Sequence, residues 1–228
     1  MKAIGFFKRD PQTGAESLRD IDIPKPSPTG RDLLVKIEAV SINPVDVKTR
    51  SRVPADKKDA TILGFDGAGV VESVGDQVRN FKPGDEVFYA GTLVRPGTYA
   101  EYHVVDERIV GPKPRTLNFP EAAAVPLTAI TSWEMLFHRL AIPEGLAGAS
   151  VLIVGGTGGV GSMAVQLARQ LTKLTVVTTS FDDEQEREWC RRKGADHVLD
   201  HTKPIAAQVA TLNIAPVEVV TPDGKPVG

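Results

Sequence analysis

The sequence predicts an α/β plus β protein: a barrel-like antiparallel domain over residues 1–120, then a parallel, doubly wound dinucleotide-binding domain over residues 121–228. Three observations predict it. Residues 1–115 fall into short β-rich runs divided by Gly and Pro turns. The chain then becomes alanine-rich and helical over residues 118–140. After that, the aliphatic run Val151 to Val154 leads into spaced glycines and an amphipathic stretch, the order strand, turn, helix.

In the β-rich part, residues 3–7 and 35–42 read as strands, the second with Lys36 and Glu38 alternating against Val35, Ile37 and Ala39. Between them Pro24, Pro26, Pro28 and Gly30 make a loop. Residues 67–74, 86–89 and 98–105 are further strands, separated by turns at Gly75-Asp76, Pro83-Gly84-Asp85 and Pro96-Gly97. Pro120 begins a helical turn, Pro126 interrupts it, and residues 128–140 form a helix whose Trp133 and Phe137 share a core face. Beyond the glycines, strands over 174–179, 196–199 and 217–220 alternate with helices over 183–193, stopped by Gly194, and 204–212. The tail TPDGKPVG carries no further pattern, so about four of the six strands of a full dinucleotide-binding sheet are encoded and the last has an unpaired edge.

Gly156, Gly158 and Gly161 fit G-x-G-x-x-G, and Val160, Met163, Ala164, Leu167, Ala168 and Leu171 follow at helical spacing. Glycines there let the backbone turn tightly and approach a pyrophosphate, and the helix N-terminus supplies free N–H groups. Gly156, Gly158, Gly159, Val160 and Gly161 are therefore the expected cofactor-binding residues. A triphosphate loop is excluded, since Ser162 and Met163 follow Gly161 where Lys and Ser or Thr are needed. A net charge of -2 and a pI near 6.1 leave no basic stripe for nucleic acid. The single cysteine, Cys190, cannot form an internal disulfide or a multi-cysteine zinc lobe and fits a reducing compartment. MKAIGFFKRD meets charge too early for a signal peptide or membrane span, so the expectation is a cytoplasmic protein without a membrane partner.

With AVSINPVDVKTR (39–50), LGFDGAGVVESVGDQVRNFKPGDEV (63–87), GTYAEYHVVDERIV (97–110), EAAAVPLTAITSWEML (121–136) and VLIVGGTGGVGSMAVQLA (151–168) in this order, the sequence resembles the medium-chain dehydrogenase/reductase superfamily, in particular its zinc-independent quinone oxidoreductase-like branch. The resemblance implies a GroES-like β-barrel domain followed by a Rossmann domain, here truncated at its C-terminal end. Zinc-dependent members have Cys after the first long strand, Gly-His-Glu near the second, and a further Cys at the position of Leu127. This chain has Asn43-Pro44-Val45-Asp46 and Gly64-Phe65-Asp66 instead, which gives zinc no thiolate or imidazole, so no metal is expected.

By the same resemblance, Asn43 and Asp46, in the loop that replaces the zinc ligands, are the catalytic candidates and Thr131 lies near the nicotinamide. Thr178-Thr179-Ser180 lacks the carboxylate that would bind the ribose 2′-OH of NAD, and Ser180, Arg192 and His201 would receive a 2′-phosphate. Asp182, Asp183 and Glu184 act against this, so NADP(H) is preferred over NAD(H) on balance. Tyr89 and His103 are proton donors by type but read as strand residues, and Lys48 as a solvated lysine. The implied reaction is hydride transfer from NADPH to a quinone or an α,β-unsaturated carbonyl. The rivals are a zinc-free alcohol or enoyl reductase, and a shortened protein that binds nucleotide without turnover; a homodimer is left open.

Overall fold

Strands pair antiparallel in a first compact unit, Met1–Leu127, and parallel in a second that starts at Thr128. The computed structural model describes residues 1–7, 18–52, 59–143, 145–181 and 183–214, and the backbone of 217–220. Asp182 and the 221–228 tail lie outside the described residues.

In the first unit, β1 (Lys2–Phe6) lies between β2 (Arg19–Asp22) and β4 (Thr61–Ile62). The larger sheet has the order β7-β3-β5-β6-β8, with β3 (Asp32–Ser41), β5 (Asp66–Val74), β6 (Glu86–Ala90), β7 (Tyr102–Asp106) and β8 (Val110–Pro112). Leu33 and Val35 on β3, Val87 and Tyr89 on β6, Val71 and Val105 form one buried face, the two-residue period of half-buried strands. β2, β4 and β8, of two to four residues, are too short to show that period in sequence.

Four expectations are corrected. The strand expected over 98–105 divides into a single bridge from Ala100 to Ala3 and β7 from Tyr102, because the Thr98 and Tyr99 N–H groups donate to the Gly64 and Leu63 carbonyls, each at 3.0 Å. Asp46 lies not in a loop but in the first turn of helix α1 (Pro44–Arg52), where a proline without N–H opens the helix and a carboxylate meets its positive end. Pro126 likewise opens a helix, α3 (Pro126–Trp133), instead of interrupting one. It follows α2 (Phe119–Ala123), which Asn118 and Glu121 close in a reciprocal capping box. The helix expected over 128–140 changes winding at Glu134–Arg139, a π-helical turn in which the Leu140 N–H reaches the Met135 carbonyl at 3.0 Å. That extra residue per turn rotates the face: Trp133 and Phe137 still touch, at 4.8 Å between ring centres, but Trp133 is 39% exposed and only Phe137 packs on the core.

The second unit has the order β11-β10-β9-β12, from β9 (Ala147–Ile153), β10 (Lys173–Ser180), β11 (His197–Asp200) and β12 (Val217–Val220), all parallel. Its helices are α4 (Gly159–Leu171), α5 (Glu184–Lys193) and α6 (Ile205–Ala210). Val151, Ile153 and Val176 pack on Ala164, Val165 and Ala168 of α4, while Leu152, Val177 and Leu199 pack on Ile205 and Val209 of α6. Both faces are covered, as a parallel sheet requires.

Candidate functional site

Two constellations stand out, one in each unit. In the second unit, Gly155 has φ +80° and turns the chain out of β9. Its N–H donates to Thr179 Oγ1 and the Gly156 N–H to the Thr179 carbonyl, both at 2.9 Å, which ties the turn to the end of β10. A Cβ at Gly156 would come within 2.2 Å of Thr178 Oγ1, and one at Gly161 within 2.0 Å of the Gly155 carbonyl oxygen. Both glycines are therefore fixed by close packing inside the turn. Gly158 differs: it is exposed, it is the N-cap of α4, and it offers no side chain to the first-turn N–H groups of that helix. Those groups, on Gly159, Val160 and Gly161, start a helix whose positive end faces outward, the cradle a pyrophosphate takes. Ser132 Oγ donates to the Val160 carbonyl at 2.9 Å, which anchors the helix carrying half-buried Thr131 against this turn.

At the ends of the neighbouring strands, the His201 N–H donates to the Ser180 carbonyl at 2.7 Å, and His201 Nδ1 lies 3.4 Å from Thr179 Oγ1. Ser180 is buried, its Oγ donating to the Phe181 carbonyl, and the exposed Phe181 ring meets His201 edge-on at 5.6 Å. Gly156, Gly161, Ser180 and His201 are thus gathered at the carboxyl end of the parallel strands. Arg192 is not: it is exposed near the far end of α5, with no ion pair among the described residues. Nine residues of helix past Asp183 carry it roughly 13 Å along the axis. Arg187, half-buried and bonded through its N–H to the Asp183 carbonyl, is the basic residue of the first turn, and the sequence reading passed over it. The acidic run is locally engaged: Asp183 caps α5 through the Gln185 and Glu186 N–H groups, Glu184 pairs with Arg191, and Glu186 accepts the Phe181 N–H.

In the first unit, Asn43, Asp46 and Asp66 are 6%, 3% and 0% exposed and form one network. Asp46 Oδ2 accepts the Asn43 N–H at 2.8 Å and Oδ1 the Gly64 N–H at 2.9 Å. Asp66 Oδ2 accepts from Asn43 Nδ2 at 2.8 Å and Oδ1 the Leu127 N–H at 2.9 Å. Burial pushes the Asp66 carboxyl up to about 6; the Asn43 and Leu127 bonds oppose this, and the Asp46 charge adds to it. Tyr99 packs over the Gly64 turn, where a Cβ would lie 2.5 Å from its ring. Its hydroxyl, raised above the phenol range by burial and then by the Asp46 carboxylate, is enclosed without a well-aligned hydrogen bond. Asp66 and Tyr99 were not singled out from sequence. The signal for Asp66 was present, a lone carboxylate opening the otherwise apolar strand of GFDGAGVV.

Tyr89 and His103 form a closed pair: Tyr89 Oη lies 3.0 Å from His103 Nδ1, and His103 Nε2 lies 3.0 Å from the Pro96 carbonyl. A carbonyl only accepts, so Nε2 carries the proton and the tyrosine donates to Nδ1. Burial holds His103 down at about 4. Among the described residues no group of three or more His, Cys, Asp or Glu could hold a metal ion, and no helix is long and apolar enough to cross a membrane.

An antiparallel β unit with a buried carboxylate network, followed by a parallel sheet with a glycine turn, defines a two-unit protein whose second unit is Rossmann-like. Residues 29–115 match the alcohol dehydrogenase GroES-like domain. The chain is 40% identical over 223 residues to a zinc-type alcohol dehydrogenase-like protein of Staphylococcus aureus, covering 96% of this chain and 65% of that one. It is 37% identical over 180 residues to the NADPH-dependent alkenal/one oxidoreductase of Arabidopsis thaliana, covering 75% of this chain and 45% of that one. A protein from Rhizobium etli CFN 42, classed with zinc-dependent alcohol dehydrogenases, has a crystal structure that superposes with a TM-score of 0.88 at 53% identity, over 96% of this chain and 65% of that one. The chain belongs to the medium-chain dehydrogenase/reductase superfamily, and spans 65% of the length of the first of these relatives.

Proposed function

We propose that this protein is an NADPH-dependent oxidoreductase that works without metal and reduces α,β-unsaturated carbonyl compounds, quinones included, since a quinone is itself a conjugated enedione. The observation that carries the reading is the glycine turn: Gly156 and Gly161 leave no room for a Cβ, and the uncapped start of α4 faces outward beside them. When bound, the dihydronicotinamide supplies the hydride. The residues that would hold the cofactor are Gly156, Gly158, Gly159, Val160 and Gly161 at the pyrophosphate, Thr131 toward the nicotinamide, and Ser180, His201 and a basic residue of α5 at the 2′-phosphate.

Zinc does not fit the donor set of the first unit. Asp46 and Asp66 are held by N–H donors, and among the described residues no thiolate or imidazole is grouped with them. An activated alkene accepts hydride at carbon without a Lewis acid on its oxygen, so the chemistry asks only for orientation and a proton. Asn43 and Asp46 are the polar groups proposed to orient the acceptor.

Fluorescence titration of the 228-residue chain with NADPH and with NADH tests the reading. Saturable binding that favours NADPH is expected, followed by NADPH oxidation with an enone or quinone. Arg187→Ala should erase most of the preference for NADPH, and Arg192→Ala should leave it. Binding to neither nucleotide overturns the reading; a preference lost only with Arg192 moves the phosphate partner to the end of α5.

A further inference from the structure

The three places at which zinc-dependent members hold a metal, by the resemblance above, are the Asn43-Pro44-Val45-Asp46 segment, the Gly64-Phe65-Asp66 segment and Leu127. In this structure the same three places are bonded directly to one another. The Asp66 carboxylate reaches Asn43 through Oδ2 and Leu127 through Oδ1, at 2.8 and 2.9 Å, and the second carboxylate, Asp46, joins Asn43 to Gly64. We infer that Asp66 takes the place of a metal as the cross-link of the first unit and is the positioning residue for Asn43, in a network that offers zinc neither thiolate nor imidazole. This rests on the metal-free reading above but is read out separately from it.

The chemistry favours this arrangement on two counts. Each carboxylate oxygen is held by an N–H donor, so the two carboxylates are already oriented and satisfied without a metal. The network also makes one feature obligatory. Asn43 must present an amide donor to position 66, and position 66 must offer two acceptors, because Leu127 can only donate. A neutral amide at 66 has one acceptor oxygen and cannot serve both neighbours.

The complementarity can be reversed, and the test uses this. Asn43→Asp alone sets two carboxylates face to face and should lower Tm by about 4 °C or more. Adding Asp66→Asn to that variant lets the new amide donate to the carboxylate at 43 while its oxygen accepts from Leu127. The double variant should recover at least half of the lost Tm, and if the single variant does not fold, the double should restore folded protein. A double variant no more stable than Asn43→Asp overturns the inference, since a residue acting through packing alone gives no such rescue. In parallel, the unmodified chain incubated with excess zinc chloride and desalted should retain substoichiometric zinc and keep its Tm in zinc or in EDTA. One zinc per chain, lost on Asp66→Asn, overturns it. Neither readout involves NADPH or turnover, so failure here and failure of the enzymatic reading are distinguishable.

Discussion

Asp66 and His103 are buried titratable groups of the first unit that burial moves in opposite senses. The folded protein holds a proton on Asp66 between 3.8, its ordinary value, and about 6, where the unfolded chain has released it. Stability from this group is therefore full at low pH and declines as pH rises through that window. His103 ordinarily titrates at 6.5 but is held at about 4, so between those values it is the unfolded chain that carries the extra proton. Its contribution is full above 6.5 and declines as pH falls. Each slope amounts to about 3 kcal/mol over its window. The two windows overlap, so the two slopes largely cancel in the intact protein. Single substitutions should unmask them: thermal melts of Asp66→Asn should show Tm rising from pH 4 to 6.5, and those of His103→Gln should show Tm falling over the same range. Slopes of the same sign in the two variants would mean that one of the groups does not titrate as its surroundings dictate.

At the scale of elements, the β9–α4 turn separates glycines that the fold needs from one that a ligand needs. Gly161→Ala puts a methyl 2.0 Å from the Gly155 carbonyl, backbone against backbone, and should lower Tm by several degrees, about 2–4 °C per kcal/mol for a chain of this size, while abolishing NADPH binding. At Gly158 the nearest atom to an added methyl is 3.4 Å away and the backbone is ordinary, φ -71°. Gly158→Ala should keep its Tm and still weaken NADPH, because the methyl stands where the pyrophosphate approaches. A Gly158→Ala protein with unweakened NADPH affinity would count against the turn as the cofactor cradle. This turn was legible in sequence because its glycines, apolar strand and helical spacing are all local. The helix after Pro126 was legible only in part, since a proline that interrupts and one that initiates look alike until the N–H partners are known. The first-unit network was half legible: Asn43 and Asp46 are near neighbours, but Asp66 and Leu127 reach them only through tertiary hydrogen bonds, which leave no spacing in the chain. Arg187 and Arg192 are likewise two arginines of one charged helix until its start is fixed by the Asp183 cap.

At the scale of the whole molecule, the parallel sheet of the second unit has two rims, β11 and β12, and β12 pairs only with β9 among the described residues. Among the described residues its other edge carries a row of backbone donors and acceptors over Val217–Val220, and such a row is satisfied by water, by a further segment of the same protein or by a strand of another molecule. A second copy can supply that strand, since two identical edges related by a twofold axis meet antiparallel and pair residue for residue. Four residues give a weak contact, so association should depend on concentration. Light scattering should find the 24.5 kDa monomer when dilute and a rising mass as concentration increases, and hydrogen exchange should slow in Val217–Val220 over the same range. A constant monomer mass with unprotected edge amides at high concentration would show that water alone satisfies the edge. Growth in mass without protection at β12 would place the contact on another surface.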